Sequence, residues 1–241
     1  MNTVLCYLKD KDVFHGPATV LTCSRDDKGP YLILDQTWFY PQGGGQPSDT
    51  GIIEAEGNRI YIQKVKWAEN QVRHYTDRES SDWVGKSVHC YIDREVRILH
   101  SKLHSSGHLI GQIVESDFHG WKNIKGHHFP NECFVEFSWV AVGPAADLSL
   151  MSLNERVKKI IEADLPNESK EVSPDQLKSL CPTLTFEPPQ DQLCRIVRMG
   201  DFPFSPCGGT HVQRTGELKG LVATRFKAKN GSLKVYYELN S

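Results

Sequence analysis

The chain of 241 residues is long enough for one large domain or two modest ones, each with its own core. Its 39% hydrophobic and 24% charged residues exclude a disordered or fibrous protein, and no apolar run nears the roughly 18 residues that span a bilayer. A net charge of −2 excludes a generally basic chain, so any nucleic-acid contact has to come from a local patch.

The N-terminal MNTVLCYLKDKDVF has no basic segment followed by a long apolar stretch, and no secretory signal is expected from it. From there to residue 92 the chain reads as β-rich. ATVLTC, YLILDQTWFY, GIIEAEG, RIYIQKVKW and SVHCYID are short strand-like segments between turn-rich pieces, spaced by about ten residues as in a small barrel. The hydrophobic period then changes. DREVRILHSKLHSSGHLIGQIVES places Val96, Leu99, Leu103, Leu109, Ile110 and Ile113 at helical spacing. A boundary near residue 92 follows, between a β-barrel domain, 1–92, and a second domain, 93–241.

After this helix comes the glycine- and histidine-containing GWKNIKGHHF, and then a strand, CFVEFSWVAV. LSLMSLNERVKKIIEADLP is a second helix, with Leu153, Val157, Ile160 and Ile161 as its apolar stripe and Pro166 ending it. CPTLTFEPPQDQ is loop-like because of its prolines. LCRIVRMG, LVATRFKAK and LKVYYEL read as strands around the loop DFPFSPCGGTHVQRTGE. The second domain is therefore expected to be α+β, with helices packed on a mostly antiparallel sheet.

Seven cysteines, an odd number at wide spacings, do not make a disulfide framework and point to a reducing compartment, the cytoplasm. The histidines carry more information. His100, His104 and His108 recur at every fourth position. Positions i and i+4 of a helix share a face, so two imidazoles can converge on one ion. The pair is either His100 with His104 or His104 with His108, and a polar, histidine-rich helix face is the plain alternative. Cys207 and His211 are again four apart, in a loop opened by Pro206 and loosened by Gly208 and Gly209. Together the two pairs make an N₃S donor set, which suits zinc. Cys207 has a competing reading as a nucleophile, and four protein ligands also describe a closed, structural zinc site.

Two further features carry chemistry. In WFYPQGGGQPSDTG, Gly43, Gly44 and Gly45 precede Gln46 in a tight turn that allows close approach of backbone to a ligand. No Lys-Ser/Thr follows, so this is not a Walker loop, and a simple hairpin turn is the alternative. Between Arg214 and Lys234, the residues Arg214, Lys219, Arg225, Lys227, Lys229 and Lys234 face a single acid, Glu217. Such a strip holds phosphates or merely keeps a strand edge soluble.

FYPQGGGQPSDTG, then HSSGH, then CGGTHV followed by TGE resemble, in this order, the freestanding alanyl-tRNA editing proteins (AlaX family, medium-length type) and the editing domain of alanyl-tRNA synthetase. The threonyl-tRNA synthetase editing domain shares the second and third motifs. The resemblance covers nearly the whole chain. It implies His104, His108, Cys207 and His211 as zinc ligands, with His100 a neighbour one turn upstream. It implies catalytic roles for these four and for Gln46. Substrate-binding roles fall to Gly43, Gly44, Gly45, Asp49, Gly107, Ile124 and Lys125. Two of these depart from the family pattern. Gly107 stands where a larger residue is usual, and Ile124 where the synthetase editing domain has a polar one, and both bear on amino-acid preference.

The reaction implied is hydrolysis of the ester between a wrong amino acid, serine and also glycine, and the 3′ adenosine of alanine tRNA. Lys219, Arg225 and Lys227 are expected to hold phosphates of the tRNA. No membrane association and no obligate protein partner is expected. The rival readings are a zinc hydrolase of a small-molecule ester and a tRNA-binding module with a structural zinc.

Overall fold

The computed structural model describes residues 3–141, 148–181, 184, 186–188, 190 and 192–240. The chain divides into two compact units, Met1–Ser101 and Lys102–Ser241, and the division falls within one long helix.

The first unit contains strands β1 (Val4–Leu5), β2 (His15–Asp26), β3 (Gly29–Leu34), β4 (Gln36–Thr37), β5 (Gly51–Ala55), β6 (Asn58–Ala68), β7 (Gln71–Thr76) and β8 (Ser87–Ile92). Six of them close a barrel in the order β2-β3-β7-β6-β5-β8, every pair antiparallel. Alternation fills its interior: Val20, Leu32, Leu34, Ile53, Ile60, Ile62, Val65 and Val72 are buried and pack together. The expected strand YLILDQTWFY is shorter than its apolar content suggests. β3 stops at Leu34 because the Asp35 carboxylate takes the amides of Thr19 and Gln36, each at 2.7 Å. The reading above also passed over β7. Its QVRHYT looks like a surface turn, yet Arg73 and His74 are both buried. Arg73 pairs with Asp26 at 2.9 Å, and His74 hydrogen-bonds the Thr37 hydroxyl at 2.7 Å and the Leu32 carbonyl at 3.2 Å.

Helix α1 runs from Arg94 to Asp117. Asp93 starts it by accepting hydrogen bonds from the Glu95 and Val96 amides, both 3.1 Å. The first turns bury a different face from the one apolar spacing gave: Leu99 is 41% exposed, whereas Arg97 and His100 are buried. From Leu103 onward the expected face is the buried one.

The second unit continues with β9 (Trp121–Phe129), β10 (Glu132–Trp139), α2 (Leu150–Glu162), β11 (Asn167–Val172), α3 (Pro174–Leu180), β12 (Cys194–Met199), β13 (Ser205–Pro206), β14 (Leu221–Lys229) and β15 (Ser232–Leu239). It is α+β. A four-stranded antiparallel sheet has the order β14-β15-β10-β9, and a second sheet has the order β11-β12-β13. The core joins Leu109, Ile110, Ile113 and Val114 of α1 and Leu153, Val157 and Ile160 of α2 to Val135, Phe137, Leu233, Val235 and Tyr237 of the larger sheet. Each such aliphatic side chain contributes about 1.5–3 kcal/mol by leaving water. α2 ends at Glu162, before Pro166, and begins in a capping box made by Ser149 and Ser152. GWKNIKGHHF is a strand, β9, and NESKEV and PDQLKSL form β11 and α3, elements with no strong apolar period. Val142 of the expected strand CFVEFSWVAV, and Pro182, Thr183, Thr185, Pro189 and Asp191 of the proline-rich loop, lie outside the described residues. No helix among the described residues is long and apolar enough to cross a membrane.

Candidate metal centre and substrate site

His104 and His108 leave α1 on one face, one turn apart, with their ring centroids 4.8 Å from each other. The loop after β13 brings Cys207 and His211 to them. One donor atom from each of the four residues lies within 4.8 Å of the other three. Cys207 Sγ is 3.6 Å from His104 Nε2 and 3.2 Å from His211 Nε2. Ligands at tetrahedral zinc bond lengths stand about 3.3–3.8 Å apart, and the two Cys207 separations are close to that range. His100 is not in this group. Burial holds its ring below the usual imidazole range, against the Asp49 charge and the Ser48 backbone, both in the first unit.

The surroundings select which nitrogen His104 presents and orient the His211 ring. His104 Nδ1 donates to the Thr210 carbonyl at 3.3 Å, because a carbonyl only accepts, and this leaves Nε2 with a free lone pair. His211 Nδ1 lies 3.0 Å from the Ser105 hydroxyl, which also accepts the Val212 amide at 3.0 Å. Second partners of this kind orient metal-binding imidazoles. The Gly209 amide donates to Cys207 Sγ at 3.3 Å. Arg195 clamps the loop through hydrogen bonds to the carbonyls of Cys207, at 2.9 Å, and Gly209, at 2.8 Å.

Without an ion, burial keeps every donor neutral. It pushes His108 down to about 4, with the Arg195 charge acting in the same direction. Burial, then the neighbouring histidines, hold His104 and His211 well below the usual imidazole range. Burial raises the Cys207 thiol, against the Gly209 amide and Arg195, which lower it. A bound cation reverses that last balance and takes the thiolate. Three neutral imidazoles and an ionisable thiol in a converging set can hold a metal ion.

One more histidine adjoins the cluster. His128, on β9, is buried, and its ring centroid is 5.2 Å from that of His104. Burial, then His108 and His127, push it down to about 3. The sequence offered no period that singled it out, nor Arg195, Thr210 or Tyr237. Their roles lie in contacts between distant elements.

The other expected site residues fall as follows. Gly43 and Gln46 exchange backbone hydrogen bonds at 3.2 and 2.8 Å, with Gly44 at φ 52° and Gly45 at φ 79°, a tight hairpin turn that needs the left-handed region. Gly44 is exposed and Gln46 is buried. Asp49 is fully buried against Arg97. Gly107 faces the His128 ring from α1. Ile124 and Lys125 are exposed on β9, an edge strand, and the ladder skips Ile124 at a bulge. Lys219, Arg225 and Lys227 are exposed and make no ion pair among the described residues. Arg225 and Lys227 lie on β14, the other edge, where Arg225 covers the Tyr236 ring at 4.0 Å. Two members of the basic strip are already engaged, Arg214 with Asp164 at 2.7 Å and Lys234 with Glu136 at 3.6 Å.

The barrel and the α+β unit that carries this donor set each match a family of tRNA synthetase domains. Residues 14–96 match the family described as tRNA synthetases class II (A), and residues 194–234 match the threonyl and alanyl tRNA synthetase second additional domain. Among whole proteins, the alanyl-tRNA editing protein AlaX-M of Saccharolobus solfataricus is 31% identical over 237 residues, covering 96% of each chain. AlaX-M of Methanosarcina barkeri is 28% identical over 96% of this chain and 94% of its own. The alanine–tRNA ligase of Idiomarina loihiensis is 28% identical over 78% of this chain but only 22% of the ligase. The chain belongs to the AlaX family of alanyl-tRNA editing proteins.

Proposed function

We propose that this protein is a trans-editing hydrolase that removes serine, and also glycine, from mischarged alanine tRNA by zinc-dependent ester hydrolysis. The observation that carries this reading is the convergence of His104, His108, Cys207 and His211 in a chain of this family. These four residues hold the zinc. Bound there, it supplies Lewis acidity toward the ester carbonyl. The Thr210 carbonyl holds the His104 ring in its binding tautomer, and Ser105 orients the His211 ring. Arg195 keeps the Cys207–Gly209 backbone in place through its hydrogen bonds to both carbonyls.

The remaining roles belong to the same reading. Residues 1–92 act as the barrel domain and 93–241 as the editing domain. Gln46 orients the substrate, and the backbone of Gly43, Gly44 and Gly45 gives it close access. Lys219, Arg225 and Lys227 hold tRNA phosphates, which makes binding weaken as salt rises. Alanine lacks the serine hydroxyl, so a site that hydrogen-bonds that group spares correctly charged tRNA far better than a sieve based on size. The action is cytoplasmic, where aminoacyl-tRNA is used.

The deciding experiment presents seryl-, glycyl- and alanyl-tRNA side by side, with and without a chelator. Hydrolysis of the first two that stops on chelation and returns with zinc is the expected result. Binding of uncharged tRNA without deacylation of any substrate would leave a tRNA-binding module in its place.

A further inference from the structure

The His128 imidazole occupies space that two glycines leave open. A Cβ at Gly107 of α1 would overlap its Cε1 and Nδ1, and a Cβ at Gly126 of β9 would overlap its Nε2. Glycine within a helix costs about 0.5–1 kcal/mol relative to alanine, so Gly107 is a stability sacrifice that admits this ring. Tyr237 fixes the ring's protonation pattern. The Tyr237 hydroxyl donates to the Leu103 carbonyl at 2.8 Å, which commits its one proton. It can therefore only accept from His128 Nδ1, 2.6 Å away. His128 Nδ1 carries the hydrogen and Nε2 keeps a lone pair, for which no hydrogen-bond partner is found among the described residues. The ring adjoins His104, yet His128 is not one of the converging metal donors.

We propose that His128 is a specificity residue whose Nε2 accepts a hydrogen bond from the substrate's serine hydroxyl. This rests on the editing reaction proposed above. Two observations favour the neutral hydroxyl over the substrate's ammonium as the donor. The ring is buried, and it adjoins His104, one of the four donors that would hold a cation. Ile124, exposed and apolar on the same strand, has no group that can do this. Alanine and glycine present no hydroxyl and forgo the bond.

The test uses the full chain with zinc bound and two variants, His128→Phe, which keeps a flat ring between the glycines, and Tyr237→Phe, which releases the tautomer while keeping both rings. The probes are the non-hydrolysable 3′-serylamino- and 3′-glycylamino-3′-deoxyadenosines, and seryl- and glycyl-tRNA. The seryl-to-glycyl ratio of affinities and of turnover is expected to fall about tenfold in His128→Phe, and by less in Tyr237→Phe, with zinc content unchanged in both. An equal loss for the two amino acids, or an unchanged ratio, overturns the assignment. Loss of zinc from His128→Phe overturns it too, by making His128 a ligand. If His128→Phe fails to fold, Tyr237→Phe and Gly107→Ala carry the same comparison. Wild-type protein that deacylates neither tRNA sinks the editing reaction and this assignment with it. Active wild type with an unchanged ratio sinks this assignment alone.

Discussion

Asp49 and Arg97 form an ion pair inside the first unit, with Nε of Arg97 2.9 Å from both carboxylate oxygens and neither side chain more than 2% exposed. Arg97 also donates to the carbonyls of Trp38, at 2.7 Å, and Lys11, at 2.9 Å, while the Asp49 carboxylate accepts the Tyr40 amide at 2.6 Å. The pair thus ties the end of the glycine-rich segment to the start of α1. Removing one partner strands the other charge in a dry site. Asp49→Ala is expected to cost about 3–5 kcal/mol in chemical denaturation. Asp49→Leu combined with Arg97→Met should recover part of that loss, and a double variant no more stable than the single one would contradict this account.

Purified protein is expected to carry one zinc per chain. Cys207→Ala should lower metal content and deacylation together. His100→Ala should retain the metal, since His100 stands outside the converging donors. Elemental analysis of the two variants decides the matter: metal lost from His100→Ala and kept in His108→Ala would mean that the other helical pair binds.

His74 should make the barrel sensitive to acid. Burial holds it down to about 4, against its hydrogen bond to the Leu32 backbone, so the folded state keeps it neutral. In the unfolded chain it titrates near 6.5. The unfolded state therefore binds the extra proton first, and stability is lost as pH falls from about 6.5 to about 4. That shift corresponds to about 3 kcal/mol. Denaturation curves at pH 7 and pH 4.5 for wild type and His74→Phe, both stripped of metal, test it. The variant should show the smaller drop; equal drops would rule out His74 as a source.

Gln46→Ala should change the ratio of seryl to glycyl turnover while zinc stays bound. Gly44→Val should lower deacylation too, with an added stability cost of about 1–2 kcal/mol for a β-branched residue at φ 52°. A turn that serves folding alone predicts a lower melting temperature and unaltered kinetics in whatever remains folded.

The converging donors were only partly legible in the sequence. Each pair repeats at four residues, but the period alone left His100 and His108 as rivals beside His104, and the family resemblance chose His108. The barrel was legible because turns punctuate alternating apolar segments. What escaped was held together by polar burial. β7 looks like surface because Arg73 and His74 are polar, and only their partners on neighbouring strands make them interior residues. The first turns of α1 bury Arg97 and His100 and expose Leu99, since an ion pair outweighed the apolar period there. β9 has one glycine and two histidines where alternating apolar residues were sought, and its chemistry depends on Tyr237, 109 positions away from His128. A backbone carbonyl such as that of Thr210, which selects a tautomer, leaves no mark in the sequence.

His104 and Cys207 stand 103 positions apart in the chain. An ion gripping both therefore does more than complete a site. It cross-links the ends of a very long segment, as a disulfide between them would, and so restricts the unfolded chain to conformations in which those ends meet. For a loop of about 100 residues, chain entropy puts such a restraint at about 4.7 kcal/mol. This is a large part of what a domain of this size has in hand. With an ion in place the four donors would also be a clasp, and the stability of the unit that contains them would depend on how tightly the ion is kept.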